Sequence, residues 1–274
     1  MPVRTLATVR TIATARTIAT ARTLNTVLRN PNYRPTDEAG LLAWFDASQI
    51  QGLADAAALS SWYDLSGLGN TVAQATGANQ PLLKTGIING LNVVRFDGSN
   101  DRMSVTSAPI GTALSGADTP FTSFIVFKKT TSNTVDSMGA VIATADNGTA
   151  AAQTFGNSDA SAQYTASRTD DTNTNATVTV TSPTANTSAH IIVHAFAGTT
   201  STIYVDGAVT NINGSAQDVG TATFSVFRLG ATRNLSNPYD GDIGELFISS
   251  GALSSDQIHL ATQYLSSKWG IAIT

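Results

Sequence analysis

Short runs of β-branched and aromatic residues, separated by Gly, Asn, Asp and Pro, recur along the chain from Gly40 onward. Such runs between turn-forming residues are typical of antiparallel β-structure. The clearest runs are Asn92–Phe96, Phe121–Phe127, His190–Phe196 and Thr202–Val205. The pattern therefore predicts an all-β domain made of many short strands.

Two local signals predict a hairpin and a helix. Asp206-Gly207 lies between two apolar runs and is the pair that a two-residue type I′ turn prefers, because both turn positions need positive φ. Near the C-terminus, Ser254 is suited to cap a helix that stops at Gly270. The apolar positions between them have helical spacing and are Ile258, Ala261, Tyr264, Leu265 and Trp269. We therefore expect one C-terminal helix packed on the β-structure.

Residues 4–27 consist of four copies of a six-residue unit, RTLATV, RTIATA, RTIATA and RTLNTV. An even period keeps every arginine on one side of a strand, whereas six residues turn an α-helix by about 600° and scatter them. The repeat therefore predicts an extended N-terminal arm. A lone extended segment cannot pair its own backbone groups, so we expect the arm to assemble with copies of itself or with a foreign surface. The residues assigned to assembly or anchoring are Arg4, Arg10, Arg16, Arg22, Arg29, Leu6, Ile12, Ile18 and Leu24.

Three alternatives to an assembled arm stay open. The arm is also compatible with a disordered basic tail, which is a common state of repetitive termini. A β-helix solenoid is disfavoured, because arginine falls where that repeat needs a small inward side chain. Nucleic-acid binding is disfavoured as well, because the arm has no lysine and no aromatic residue before Tyr33 to stack on bases.

The arm and the rest of the chain differ in charge and are separated by prolines. Pro31 and Pro35 disfavour a continuous helix, so we divide the chain into an arm with its linker, 1–35, and one domain, 36–274. Six arginines and no acid precede Asp37, and removing their charge from the net −4 leaves −10 for the remainder. A basic arm on an acidic domain favours docking on an acidic partner.

Composition excludes several classes of protein. A chain of 274 residues with 42% hydrophobic and 12% charged residues suits one large β domain. The absence of cysteine excludes disulfides and thiolate sites. No apolar run reaches the roughly 20 residues of a membrane span. The N-terminus lacks the apolar core of a signal peptide, so we expect synthesis in a host cytoplasm and no membrane partner.

Seven motifs resemble the concanavalin A-like, laminin-G-type jelly rolls that are common in phage and bacterial surface proteins. They are GLLAWFDAS at 40–48, WYDLSGLGN at 62–70, VRFDG at 94–98, IYVDG at 203–207, FRLGA at 227–231, YDGDIGELF at 239–247 and YLSSKWG at 264–270. The resemblance spans about residues 38–274 and implies an antiparallel jelly-roll β-sandwich with one C-terminal helix. It implies little about function, because this fold hosts lectins, glycosidases and structural domains.

The acidic residues do not fit a glycosidase. Glycoside hydrolysis needs two facing carboxylates, and the glucanases that the chain resembles carry alternating acids on one strand with glutamate at both ends. This chain has only two glutamates, Glu38 and Glu245. Asp240 and Asp242 alternate before Glu245, but strand alternation places Glu245 on the opposite face. We therefore predict no catalytic residues and no enzyme activity.

Three places along the chain are candidates for metal binding. His190 and His194 share one face of a predicted strand, but their apolar neighbours favour two partly buried or cross-strand histidines rather than metal ligands. His259, on the helix, is expected to be exposed. Relatives of this type hold calcium at the rim of the sandwich, and two acidic turns are the candidates, although their composition is also that of ordinary turns. Those turns contain Asp97, Asn100, Asp101, Asp170 and Asp171. We predict no metal site and no cofactor, with calcium as the alternative.

Three tryptophans are candidates for sugar stacking. Trp44, Trp62 and Trp269 each lie in a motif where the resembling family packs tryptophan against the sheet or helix, so we assign all three to the core. If glycans bind, the polar loops between Thr130 and Ala189 are the expected rim. The sequence singles out no ligand-binding residue.

These features lead to a hypothesis about function. We expect a non-enzymatic structural protein of a bacteriophage virion, a capsid decoration or head-fibre protein that the arm anchors at the virion surface. Analogy with phage fibres favours a homotrimer that contacts the major capsid or tail protein. The alternative is a tail-fibre receptor module, for which carbohydrate binding is the purpose.

Overall fold

The computed structural model describes residues 32–106, 109–116, 119–131, 136–142, 152–158, 164–169, 175–180, 186–197, 200–213, 223–232 and 235–274. The repetitive arm, with all nine residues assigned to assembly, lies outside these ranges, so its extended form stays a prediction. Asp170 and Asp171 also lie outside them. None of the helices in the described ranges is long and apolar enough to cross a membrane.

The described residues form mainly short strands. In chain order the strands are β1 (Leu41–Asp46), β2 (Ser61–Trp62), β3 (Val72–Ala73), β4 (Leu82–Ile88), β5 (Leu91–Asp97), β6 (Met103–Thr106), β7 (Phe121–Lys129), β8 (Asp136–Ile142), β9 (Ala152–Ser158), β10 (Tyr164–Thr169), β11 (Asn175–Val180), β12 (Ala189–Ala197), β13 (Thr200–Val205), β14 (Ala208–Asn213), β15 (Val226–Leu229) and β16 (Asp240–Ser250). The helices are α1 (Pro109–Leu114) and α2 (Ser255–Trp269), and 3-10 turns span Pro35–Asp37, Ala47–Gln49 and Gly77–Asn79.

The strands form two antiparallel sheets. The first has the order β14-β13-β12-β7-β16-β5-β4, with β1 paired to β16. The second has the order β11-β10-β9-β8-β15-β6-β3-β2. The sheets pack face to face, and aromatic side chains bridge them: Phe45 lies 5.7 Å from Phe227, and Phe127 lies 5.5 Å from Tyr164, ring centroid to ring centroid. The predicted all-β sandwich is confirmed.

A second apolar cluster covers the opposite face of the first sheet. Successive residues of β7 alternate between the clusters, with Phe127 between the sheets and Phe124 on the helix side. There Phe124 stacks on Phe247 at 4.5 Å, and α2 packs over this face through its buried residues. Those residues are Ile258, Ala261, Leu265 and Trp269. Because β7 is buried on both faces, its centre, Phe124–Phe127, is a continuous apolar run.

The predicted hairpin and helix are both confirmed. Asp206 and Gly207 have φ of 49° and 86°, as the type I′ turn between β13 and β14 requires. Ser254 accepts a hydrogen bond from the backbone N–H of Gln257, whose side chain bonds back to Ser254, so the helix begins with a capping box. Gly270 ends the helix in the left-handed conformation at φ 67°.

The histidines of β12 lie between the sheets. The ring of His190 lies near Phe127 and Tyr164, and its Nδ1 is 2.6 Å from Asp206 Oδ2. His194 lies on the same face, 1% exposed, and neither ring nitrogen has a hydrogen-bond partner among the described residues. Burial lowers the pKa of His194 from 6.5 to about 3. Both histidines are thus buried more completely than the partial burial predicted, and His259 is exposed as expected.

The low pKa of His194 makes the stability of the fold depend on pH. The unfolded chain binds a proton at this residue below pH 6.5, whereas the folded chain keeps it neutral, so stability is lost as the pH falls. We expect a loss of about 2 kcal/mol in the free energy of unfolding between neutral pH and about pH 5. In His194→Leu, the free energy of unfolding measured with urea should lack this part of its dependence on pH. The exposed-site control His259→Leu should keep it, and equal slopes in the two variants would contradict the prediction.

Candidate functional site

One carboxylate organises the loop that follows β2. Asp64 Oδ1 accepts the backbone N–H groups of Trp44 (3.0 Å) and Ser66 (2.9 Å). Its Oδ2 accepts the Ser66 hydroxyl (2.7 Å) and the backbone and side-chain N–H groups of Asn70 (2.8 and 3.1 Å). The Asn70 amide also bonds Leu42 O at 2.7 Å. These bonds tie the loop to β1 and fix its conformation, which gives the WYDLSGLGN motif a structural role.

The residue between Trp62 and Asp64 points away from the core. Trp62 is 2% exposed and packs edge to face on Phe45, whereas Tyr63 is 70% exposed. Tyr63 directly follows β2, and because successive residues of a strand face opposite sides, burial of Trp62 at the strand's end directs Tyr63 to solvent. An aromatic ring exposed to this extent on a fixed loop is available to a ligand.

A cleft of about 400 Å³ lies beside this ring, and we call it the Tyr63 cleft. Its apolar wall includes Leu53 and Leu65, which are themselves exposed. Its polar lining residues include Gln49, Gln51, Ser60 and Ser61, whose side chains carry amides and hydroxyls. Ligand sites combine apolar and aromatic walls with a few polar groups in this way.

A second cleft, of about 390 Å³, adjoins the first, and we call it the Arg34 cleft. It shares Asp46, Gln49 and Leu65 with the Tyr63 cleft. The remaining lining residues are Arg34, Trp44, Tyr264 and Lys268. The two clefts are therefore neighbours that share three lining residues, and we call the pair the groove, with Tyr63 at one end and Arg34 at the other.

A buried carboxylate network supports the Arg34 cleft. Glu245 Oε1 accepts Trp44 Nε1 at 2.8 Å and the Tyr264 hydroxyl at 2.9 Å. Its Oε2 accepts Lys268 Nζ and Trp269 Nε1, both at 2.8 Å. Lys268 Nζ also lies 2.6 Å from Asp46 Oδ2. Burial and then the charge of Asp46 raise the pKa of Glu245, against the opposing effect of Lys268. The network joins β1, β16 and α2.

The expectation that Glu245 faces away from Asp242 is wrong. The register of β16 on β7 shifts between Ile243 and Glu245, so Gly244 is an extra residue that resets the alternation. Glu245 consequently lies on the helix side with Asp242, which forms a two-point ion pair with Arg95 at 2.7 and 2.8 Å. Strand alternation alone could not reveal the bulge.

The other acids and tryptophans singled out in the sequence have structural partners. Glu38 accepts the Tyr33 hydroxyl at 3.2 Å and Gln257 Nε2 at 3.1 Å. Trp62 and Trp269 are buried, as predicted, whereas Trp44 is only half-buried. The expected glycan rim between Thr130 and Ala189 falls largely outside the described residues.

The acidic turn that follows β5 is stabilised by hydrogen bonds among its own residues. Asp97 Oδ1 accepts the backbone N–H groups of Ser99, Asn100 and Asp101, at 2.8, 3.1 and 3.3 Å. Asp101 Oδ2 accepts the N–H of Asp97, and burial together with the Asp97 charge raises the pKa of Asp101 to about 6. Within the described ranges, no three His, Cys, Asp or Glu side chains are grouped so as to hold a metal.

Comparison with known proteins identifies the family. Residues 97–259, more than half of the chain, match the family model Laminin_G_3, described as concanavalin A-like lectin/glucanases superfamily. The chain belongs to this superfamily. The Tyr63 cleft precedes the matched residues, so membership in the superfamily does not by itself assign the cleft a role. No curated protein sequence matches the chain.

Solved structures with this superfamily's fold include sugar-binding modules. Domain 4 of AbnA, a GH43 extracellular arabinanase from Geobacillus stearothermophilus in complex with arabinotriose, shares 18% identity at a TM-score of 0.55, over 82% of this chain and 99% of that one. The binding domain of Paraclostridial Mosquitocidal Protein 1 shares 11% identity at a TM-score of 0.56, over 84% of this chain and 52% of that one. The CBM40 of Ruminococcus gnavus IT-sialidase bound to alpha2,3 sialyllactose shares 13% identity at a TM-score of 0.50, over 66% of this chain and 98% of that one. At these identities the likeness establishes the fold alone.

Proposed function

We propose that the β-sandwich is a non-enzymatic glycan-binding module whose ligand occupies the Tyr63 cleft. The observation that carries the proposal is the Tyr63 ring, 70% exposed at the edge of a cleft that also presents amides and hydroxyls. An aromatic face suits the apolar face of a sugar ring, and the amides and hydroxyls suit its hydroxyl groups.

The rigidity of the loop supports this proposal. The bonds to Asp64 fix the backbone of the loop at Ser66 and Asn70 before a ligand arrives, so less conformational entropy is lost on binding. The acids Glu245 and Asp242 are occupied by bonds to Lys268, Arg95 and the indoles, which favours binding over hydrolysis. Structures of the same fold in complex with arabinotriose and sialyllactose make a glycan the first ligand class to test.

A glycan screen followed by titration of Tyr63→Ala tests the proposal. We expect the full chain to select particular glycans with dissociation constants of about tens of micromolar or tighter. Loss of the ring should weaken binding about tenfold or more, because a central aromatic contact contributes at least about 1.4 kcal/mol. Leu68→Ala is the matched control, since Leu68 is exposed on the same loop but does not line the cleft. Unchanged affinity in Tyr63→Ala would overturn the assignment of the cleft.

A structural role in a phage virion is the second candidate. The repeat over residues 4–27 favours it, because a regular basic arm ahead of an acidic domain suits anchoring on an acidic partner. In this proposal the arm holds the protein on the virion surface as a decoration or fibre protein, with two sister copies and the major capsid or tail protein as partners. Absent or millimolar glycan binding in the same screen would favour this role over a receptor module.

A further inference from the structure

The Arg34 cleft is not explained by a neutral sugar at Tyr63. Arg34 is exposed at its mouth, and the described residues provide no ion-pair partner for its guanidinium. Its backbone N–H bonds Asp37 Oδ2 at 2.9 Å. The preceding residue, Tyr33, is buried and packs on Tyr264 at 5.7 Å. The backbone at Arg34 is therefore held in place, while no acid among the described residues pairs with its guanidinium.

The second cation in this cleft is already neutralised. Lys268 Nζ is bound by Asp46 Oδ2 and Glu245 Oε2 and lies 5.2 Å from the centre of the Trp269 ring. Asp46 Oδ1 is also occupied, by the backbone N–H and hydroxyl of Ser48. Arg34 is therefore the cation that the cleft offers to a ligand. A guanidinium can bind a carboxylate through two parallel hydrogen bonds.

We infer that the groove binds an acidic oligosaccharide, with one sugar on Tyr63 and the carboxylate of a neighbouring sugar acid on Arg34. The two clefts share Asp46, Gln49 and Leu65, so one ligand that crosses these residues contacts both ends. Gln49 lies at the crossing, where its amide can bond hydroxyls of either sugar. This inference rests on the proposed glycan-binding function and adds the ligand class and the residue that selects it.

Binding is measured by calorimetry on the full chain with two matched pairs of probes. The pairs are trigalacturonic acid with its carboxyl-reduced form, and sialyllactose with lactose. We expect the acidic member of at least one pair to bind about tenfold more tightly than its neutral partner. Added salt should reduce this difference, because the contact with Arg34 is exposed to solvent.

Variants separate the two ends of the groove. Arg34→Gln should abolish the preference for the acidic probe and leave the neutral probe's affinity unchanged, whereas Tyr63→Ala should weaken both. Arg102→Gln is the matched control, since it removes the same charge from a residue that lines neither cleft. Circular dichroism and thermal unfolding of each variant establish that the fold is intact.

The outcomes distinguish this inference from the function on which it rests. Equal binding of acidic and neutral probes, or an acidic preference that survives Arg34→Gln, overturns the inference and leaves the glycan-binding proposal standing. Neutral glycan hits in the screen together with no binding of either acidic probe have the same meaning. Absence of binding to any glycan overturns both.

Discussion

Replacing Lys268 by methionine should lower the free energy of unfolding by about 3–5 kcal/mol at neutral pH. The ammonium lies between two carboxylates whose side chains are almost fully buried, Asp46 at 2% and Glu245 at 0% exposure. Methionine keeps the length and apolar character of the side chain but removes its charge. Two buried like charges would then face each other without the cation that now offsets them, and such a loss costs far more than that of a surface pair.

The pH dependence of this variant has a definite sign. Burial and the charge of Asp46 already raise the pKa of Glu245, and loss of Lys268 removes a cause that lowers it. A carboxyl group whose folded pKa lies above its unfolded value binds more protons when folded. The free energy of unfolding of the protein therefore falls as the pH rises from the unfolded pKa through the folded pKa. The deficit of Lys268→Met should therefore be largest at neutral pH and shrink at mildly acidic pH.

Chemical unfolding of Lys84→Met provides the comparison. Lys84 Nζ lies 2.8 Å from Asp55 Oδ2, as close as Lys268 is to Glu245, but this pair is exposed to solvent. We expect little change for Lys84→Met, because water screens an exposed pair. If the two variants lose the same stability at neutral pH, the carboxylate network does not hold β1, β16 and α2 together as described.

The parts of the fold that sequence alone predicts are those encoded by neighbouring residues. Asp206-Gly207 specifies its turn through two positive φ values, and Ser254 with Gly270 marks the ends of α2. The exposed ring of Tyr63 could also have been predicted, because strand alternation beside a buried Trp62 directs it outward. The family motifs drew attention to the tryptophan instead.

The groove could not be predicted in the same way, because it depends on contacts between distant segments. Trp44 meets Glu245 across 201 residues of sequence, and Lys268 meets Asp46 across 222. Gly244 shifts the alternation of β16 by one residue, and no local pattern signals that shift. Only the folded arrangement brings these residues together beside Arg34.

The motifs that carry the family resemblance act mainly as structure. One candidate ligand residue, Tyr63, lies within such a motif, and the other, Arg34, lies outside all of them. Asp64 closes the WYDLSGLGN loop, while Lys268 and Trp269 of YLSSKWG bind Glu245. Tyr63 is exposed beside Asp64, which fixes the backbone of its loop, and Arg34 is exposed in the cleft that Lys268 also lines. Recognition of the family from sequence therefore locates the supports of the groove more directly than its specificity.

Gly244→Ala should lower the free energy of unfolding by about 3 kcal/mol, because a methyl group has no space at the bulge. A Cβ at this position would lie 2.8 Å from two carbon atoms of the Trp269 ring and 3.1 Å from a third. The indole is 1% exposed and donates to Glu245, so moving it both strains the packing and lengthens a buried hydrogen bond. Near-ultraviolet circular dichroism should report the displaced tryptophan.

The control for this effect is Gly77→Ala, at a glycine with nothing within 4 Å of the added Cβ and without a positive φ. Any general cost of alanine against glycine in the unfolded chain is the same in both variants, so their difference isolates the contact with Trp269. We expect the free energy of unfolding of Gly77→Ala to lie within about 0.5 kcal/mol of that of the parent protein. If Gly244→Ala is as stable as Gly77→Ala and its tryptophan signal is unchanged, the bulge accepts a side chain at residue 244. The packing of α2 on β16 would then not require glycine at this position.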